Sequence, residues 1–312
     1  MKNFALIGAA GYIAPRHMQA IRDTGNQLVS ALDPSDSVGI IDRYFPQASF
    51  FTSFERFDRH VDKRRRGEDK IDYFSVCSPN YLHDAHCRFG LRSDADVICE
   101  KPLVLNPWNI DALSAIENET GKKIYNILQL REHKSILALK EKIESGPKDK
   151  IYDIDLSYLT SRGAWYHVSW KGDQEKSGGI ATNIGVHFFD MLTWIFGSVK
   201  KNTIHVHENE KAAGFLELER AKVRWFLSVD YNAIPDYIKA QGKTTYRSIT
   251  VGGEEIEFST GFTDLHTRCY ENILKGNGHR SDAVRPAIQI VHDIRNAQAI
   301  GIKGEYHPLL ND

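Results

Sequence analysis

Over the first 126 residues, short apolar runs alternate with amphipathic stretches. Phe4-Ala5-Leu6-Ile7 is a buried-strand pattern, followed by Gly8 to Ala14 and a helical stretch from Arg16 to Ile21. Gln27 to Asp33, Phe50-Phe51, Ile71 to Cys77, Val97 to Cys99 and Lys123 to Asn126 read as further strands, with a helix over Asn109 to Asn118 closed near Gly121. This alternation predicts a parallel sheet covered by helices, an α/β Rossmann domain over residues 1–125.

From about residue 126 the pattern changes. A helix from Glu132 to Glu144 is stopped by Ser145-Gly146-Pro147, and Ile151 to Thr160 alternates as a strand. After Ser177-Gly178-Gly179 a helix is expected from Ala181 to Phe196. Strands follow at Lys201 to His207, Ala213 to Leu218, Val223 to Asp230, Tyr246 to Val251 and Glu254 to Phe258, with Gly252-Gly253 as the hairpin between the last two. Thr263 to Leu274 and Ala283 to Ile300 read as closing helices. Strand runs after a βα half predict an α+β C-terminal domain, residues 126–312, with a largely antiparallel sheet.

Composition narrows the function classes. A chain of 312 residues is long for one core and suggests two domains. The net charge of −1 creates no field that would attract nucleic acid or an acidic membrane surface. The basic run Lys63-Arg64-Arg65-Arg66 reads as a solvated surface loop. Four cysteines, 77, 87, 99 and 269, are too scattered for a zinc site and are expected to be buried thiols. No apolar run reaches the roughly 18 residues of a membrane span. Lys2 and the run Phe4 to Ala14 imitate a secretory signal, but the glycine spacing favours a nucleotide loop and a cytoplasmic protein.

The candidate chemistry lies at strand ends. Gly8, Ala10, Gly11, Tyr12 and Ile13 follow the first strand, where absent side chains let backbone N–H groups approach a pyrophosphate. The spacing departs from G-x-G-x-x-G, with Ala14 in the last small position. Asp33, ending the second strand, is placed to accept ribose hydroxyls and repel a 2′-phosphate, which favours NAD over NADP. Ser78, Pro79, Asn80 and His83 follow the fourth strand and are expected on the nicotinamide side. His83 and His86 read as a helix N-terminal and a surface histidine, with no metal site. Val97-Ile98-Cys99 delivers Glu100 and Lys101 to the same edge, where Pro102 halts the strand. Asn183 and His187 stand four apart, one helical turn from each other. His187 is a natural proton acceptor for an alcohol losing a hydride, with Lys101 stabilising the oxygen. Asp190 reads as a structural contact.

Gly8 to Ala14 with Arg16-His17, Ser78-Pro79-Asn80, Glu100-Lys101-Pro102 and Gly185-Val186-His187-Phe188-Phe189-Asp190, in this order, resemble the Gfo/Idh/MocA oxidoreductase family. The resemblance implies a Rossmann domain, an open-faced C-terminal sheet for substrate binding and oligomer contacts, and a lysine–histidine pair acting on a sugar or polyol hydroxyl. Asn183 stands where many members carry aspartate, so base duty shifts towards His187 or Lys101. Cys77 to His86, Ile98 to Asn109, Ser161 to Tyr166 and Phe262 to His266 are similar to a narrower group, the UDP-N-acetylglucosaminuronate 3-dehydrogenases (WlbA type). That likeness implies oxidation of a sugar C3 hydroxyl in diacetamido-uronic acid and O-antigen lipopolysaccharide synthesis, tightly held NAD and a tetramer. For several members it also implies NADH recycling by 2-oxoglutarate in the same site. Independently, a uronate and a pyrophosphate require cations, and Arg162, Lys171 and Arg247, with Tyr166, are the candidates, although each cation alone reads equally as surface charge. An inositol or free-sugar dehydrogenase, or a cofactor-sensing regulator, stays open. Retention of Lys101 and His187 weighs against the regulator.

Overall fold

The computed structural model describes residues 1–256 and 264–310. The chain forms two compact units, Met1–Gln129 with Thr263–Arg285, and Leu130–Phe262 with Pro286–Asp312. The return of residues 264–285 to the first unit has no local signature in the sequence.

In the first unit, β1 (Asn3–Ile7), β2 (Gln27–Leu32), β3 (Ser49–Phe51), β4 (Tyr73–Val76), β5 (Asp96–Cys99) and β6 (Ile124–Asn126) form a sheet in the order β3-β2-β1-β4-β5-β6. Every pairing is parallel. This is the doubly wound dinucleotide-binding order, and the order in which strands are added reverses between β1 and β4 while all of them stay parallel. Phe4, Ala5 and Leu6 have no exposed surface, as a central parallel strand covered on both faces requires. Helix Ala14–Asp23 buries Ala14, His17, Met18 and Ile21 on one stripe. Cys269, Tyr270 and Ile273 of helix Leu265–Leu274 join the same core.

Two expectations are corrected here. Lys63, Arg64 and Arg65 form the last turn of helix Phe54–Arg65, not a loop. Phe57 and Val61 anchor that helix in the core, and cations suit its C-terminal end; Arg65 and Arg66 both pair with Asp62. His86 is half-buried, with Nδ1 2.8 Å from Ser78 Oγ, because helix His83–Arg92 turns it towards the strand end.

The second unit carries β7 (Tyr152–Thr160), β8 (Val199–His207), β9 (Lys211–Leu218), β10 (Ala221–Ser228), β11 (Thr245–Val251) and β12 (Glu254–Ile256), ordered β12-β11-β7-β10-β9-β8. Only β7 and β10 run parallel among these pairs. Gly252 and Gly253, at φ +58° and +86°, supply the two left-handed positions of the β11–β12 hairpin. The expected continuation of β12 through Phe258, and Thr263 at the start of the next helix, lie outside the described residues. Trp225 is fully buried on this sheet, edge-on to Phe189 of helix Val186–Phe196 at 5.3 Å. Gly214 leaves the room: a Cβ there would stand 2.6 Å from the Trp225 ring.

The expected helix from Ala181 is not uniform. Ala181–Gly185 is a π-helical turn, and the α-helix begins at Val186. Gly185 lets this wide turn press on the sheet, since a Cβ would meet Leu227 Cδ1 at 2.6 Å. The last expected helix is Arg285–Asn296, preceded by a short 3-10 turn at Ser281–Val284.

Candidate active site

In the first unit, the candidate residues gather at the C-terminal edge of the parallel sheet. The loop after β1 is tied to the end of β2, with Gly8 N–H and Ala9 N–H donating to Leu32 O at 2.8 and 3.2 Å. Gly8 adopts φ +92°, and a Cβ there would stand 2.6 Å from Cys77 C and Ser78 N. The absent side chain therefore lets the loop cross the end of β4 at the topological switch point. Asp33 organises the loop: Oδ2 accepts Ala10 N–H at 2.9 Å and Oδ1 accepts Ser35 N–H at 2.8 Å. Each oxygen keeps a further lone pair, so a half-exposed carboxylate remains able to accept from a ribose. Tyr12 is 89% exposed, while Ile13 packs against the core at the start of helix Ala14–Asp23. A bare glycine loop at a helix N-terminus is the backbone cradle that a dinucleotide pyrophosphate needs.

Beyond β4, Ser78, Asn80 and His83 are buried and Pro79 is half-buried. His83 spans two carbonyls, with Nδ1 2.6 Å from Pro102 O and Nε2 2.7 Å from Ser78 O. Burial lowers its pKa against those contacts and against nearby Glu100, both of which favour the proton. His83 thus braces the loop after β4 against the turn after Lys101.

Glu100 is placed differently from a ligand-facing acid. It is 5% exposed, and its Oε1 accepts from His17 Nε2 at 2.9 Å and His266 Nε2 at 2.8 Å. Oε2 accepts Lys101 N–H at 3.1 Å. Burial alone would raise this carboxyl, but the two histidine bonds overcome it and hold the pKa well below the ordinary range. Lys101 itself is half-buried at the strand edge, before a cis Pro102.

In the second unit, Arg162, Tyr166, Lys171 and Asn183 come together. Arg162 N–H donates to Val229 O at 3.0 Å, pinning the loop after β7. Its Nε is buried without a hydrogen-bond partner among the described residues. Tyr166, 3% exposed, accepts from Asn183 Nδ2 at 2.9 Å, leaving its O–H to donate elsewhere. Burial raises the Tyr166 pKa, so the phenol stays neutral and a donor. Lys171 sits 4.2 Å above the Trp170 ring, and burial, then the charge of Arg162, lower its pKa. Two partly desolvated cations held near each other make a favourable place for an anion. Arg247, opposite Tyr158 in the β11–β7 register, donates to Tyr158 Oη at 3.1 Å. His187, half-buried, is in the first turn of helix Val186–Phe196. Asp190, three residues on, forms a buried bidentate pair with Arg131.

Sequence reasoning missed the parts played by His17, His266 and Tyr270. The first two stand inside the motifs that carry the family resemblance, yet nothing local to either motif shows that both reach one carboxylate.

The family pattern described as an oxidoreductase family with an NAD-binding Rossmann fold matches residues 2–127, and its C-terminal α/β domain matches residues 140–241. Among solved structures, the chain is 47% identical to the WlbA (WbpB) dehydrogenase of Thermus thermophilus in complex with NAD and alpha-ketoglutarate. That match has a TM-score of 0.95 and covers 98% of this chain and 99% of the other. The same dehydrogenase in complex with NAD and UDP-GlcNAcA gives the same identity and TM-score, covering 99% of each chain. Among curated proteins, D-glucoside 3-dehydrogenase of Escherichia coli is 25% identical over 46% of this chain and 40% of its own length. The matches to the first curated relatives span about half of those proteins' lengths or less.

Proposed function

This chain belongs to the Gfo/Idh/MocA oxidoreductase family, and from that premise we propose that it oxidises the C3 hydroxyl of UDP-N-acetylglucosaminuronic acid to a ketone, using NAD. One observation carries the reading: near-complete coverage at 47% identity with a dehydrogenase solved with NAD and that sugar nucleotide. The chemistry of the chain supports it. The glycine loop and Asp33 would hold NAD by its pyrophosphate and adenosine ribose, with Ser78, Pro79, Asn80 and His83 shaping the nicotinamide side. When bound, NAD supplies the hydride acceptor.

In this reading His187 accepts the proton of the C3 hydroxyl as the hydride departs, and Lys101 donates a hydrogen bond that polarises the same oxygen. Asn183 has an amide that cannot relay a proton, so it orients the substrate together with Tyr166, which it binds. Arg162 and Lys171 take the uronate or pyrophosphate charge, and Arg247 assists from β11. The same cations suit 2-oxoglutarate, which we take as the oxidant that returns NADH to NAD, following the alpha-ketoglutarate complex of the relative. Residues 1–125, with the returning segment 264–285, then form the NAD-binding domain, and the remainder of 126–312 the substrate-binding and oligomerisation domain of a cytoplasmic tetramer serving diacetamido-uronic acid and O-antigen lipopolysaccharide synthesis.

The test is direct. Purified protein incubated with UDP-N-acetylglucosaminuronate and 2-oxoglutarate should yield the 3-keto nucleotide sugar and 2-hydroxyglutarate by mass spectrometry. Absence of the ketone, with turnover of an inositol or a free sugar instead, would move the protein to another substrate within the family.

A further inference from the structure

We propose that Glu100, clamped by His17 and His266, is a positioning residue that sets Lys101 and joins it to the helix of the nucleotide loop. The inference rests on the reading of Lys101 as the group that polarises the substrate oxygen.

Every polar group of Glu100 is engaged inside the first unit. Its N–H donates to Val76 O at 3.0 Å, continuing the β4–β5 pairing, and its C=O accepts from Asn126 Nδ2 at 3.1 Å. Its side chain then takes three N–H donors on two oxygens: His17 and His266 on Oε1, and Lys101's own backbone on Oε2. The residue before Lys101 is thereby fixed at backbone and side chain alike, which determines where the lysine stem starts.

The network extends outward from this hub. Tyr270 Oη lies 2.7 Å from His17 Nδ1 and 2.6 Å from Ser75 Oγ. A consistent set of protons runs from Ser75 O–H to Tyr270, from Tyr270 O–H to His17 Nδ1, and from His17 Nε2–H to Glu100. In that arrangement His17 is neutral, in keeping with burial pushing its pKa below the ordinary value despite the Glu100 bond. His17 stands in the first turn of helix Ala14–Asp23, directly after the glycine loop. The carboxylate therefore connects the pyrophosphate cradle, the lysine and helix Leu265–Leu274 through bonds of 2.8 to 3.1 Å. His17, Glu100 and His266 also offer three ligand-type atoms within 4.8 Å of one another. The 2.8 and 2.9 Å contacts to Oε1 are nonetheless hydrogen-bond lengths, and each accounts for a proton on Nε2.

The chemistry demands a carboxylate and not merely a polar group of that shape. An amide has one acceptor oxygen, so Glu100→Gln must turn its NH2 either towards the two histidine N–H groups or towards Lys101 N–H. Glutamine in place of His266 can still present an N–H to Oε1, whereas leucine cannot.

The experiment combines kinetics with pulse labelling of lysines by acetic anhydride, mapped by mass spectrometry, with exposed Lys243 as the internal reference. In Glu100→Gln and His266→Leu, kcat should fall about tenfold or more while KM for the sugar nucleotide stays within about threefold, as expected for misplacement of a reacting group. In both variants the labelling rate of Lys101 relative to Lys243 should change about fivefold or more, in line with an altered setting of the lysine. His266→Gln should keep both quantities within about threefold of wild type, because the donor is retained. Unchanged Lys101 labelling and kcat in Glu100→Gln, or equal losses in His266→Leu and His266→Gln, would overturn the proposal. If either the Glu100→Gln or the His266→Leu protein fails to fold, the other decides. Labelling needs no substrate, so a wild-type protein inactive on the sugar nucleotide would count against the proposed substrate alone.

Discussion

Arg131 and Asp190 form a buried, two-pronged ion pair: Nε donates to Oδ2 at 2.9 Å and Nη2 to Oδ1 at 2.7 Å. The pair ties the short turn Gln129–Glu132 to the middle of helix Val186–Phe196, the helix that carries His187. Removing one partner leaves the other charge buried. Asp190→Leu should therefore lower stability by about 3–5 kcal/mol, and Arg131→Met combined with Asp190→Leu should lower it by less. Urea unfolding of the single and double variants measures both.

Gly8 offers a second test. Alanine there would adopt a left-handed backbone, at about 1–2 kcal/mol, and its methyl would overlap backbone atoms 2.6 Å away at the end of β4. Gly8→Ala should therefore weaken NADH binding by about tenfold or more, since the cradle must open to fit the methyl. Fluorescence titration of the cofactor-stripped protein gives the result.

Acid stability follows from buried histidines. Leu309 N–H donates to His307 Nδ1 at 3.2 Å, so His307 is neutral, with Nε2 3.0 Å from Ser157 Oγ. Burial pushes its pKa from 6.5 down to about 4, and that of His86 likewise to about 4. With folded-state pKa values below the unfolded value, the unfolded chain binds more protons between pH 6.5 and 4, so stability falls as pH falls through that window. The depressed Glu100 adds a loss at still lower pH, as its carboxylate protonates. His307→Gln should reduce the slope of unfolding free energy against pH by up to about 1.4 kcal/mol per unit within the window. Urea melts at several pH values test it.

The proposed proton transfer makes its own demand. His187→Ala should reduce kcat by about 10²–10⁴-fold with little change in KM, as loss of a general base does. Lys101→Ala should lose activity as well, through the unpolarised oxygen. If turnover of the nucleotide sugar survived either change, these two residues would not carry the chemistry.

Much of this architecture is legible along the chain. The apolar runs of β1, β4 and β5 announce a buried parallel sheet, because a strand covered on both faces has no polar side to alternate with. Gly8 and the Gly252-Gly253 pair mark positions where only a residue without Cβ is comfortable, and all three have positive φ. Lys63 to Arg66 misled because charge density speaks of solvent, not of backbone conformation; Phe57 and Val61 settle that segment as helix.

The motifs also singled out Lys101, Arg162, Tyr166, Asn183 and His187 as candidates, though not their neighbours. What only the tertiary structure decided is which distant groups meet. His17, His266 and Glu100 converge across separations of 83 and 166 residues, and Tyr270 reaches His17 across 253. The π turn at Asn183 likewise depends on Gly185, whose missing side chain makes room for Leu227, a residue with which it shares no sequence period. Local sequence sets the backbone's preferences and the side of each element that avoids water. Hydrogen bonds between residues far apart in the chain exist only once the core has closed around them, and here that closure gives Glu100 its partners.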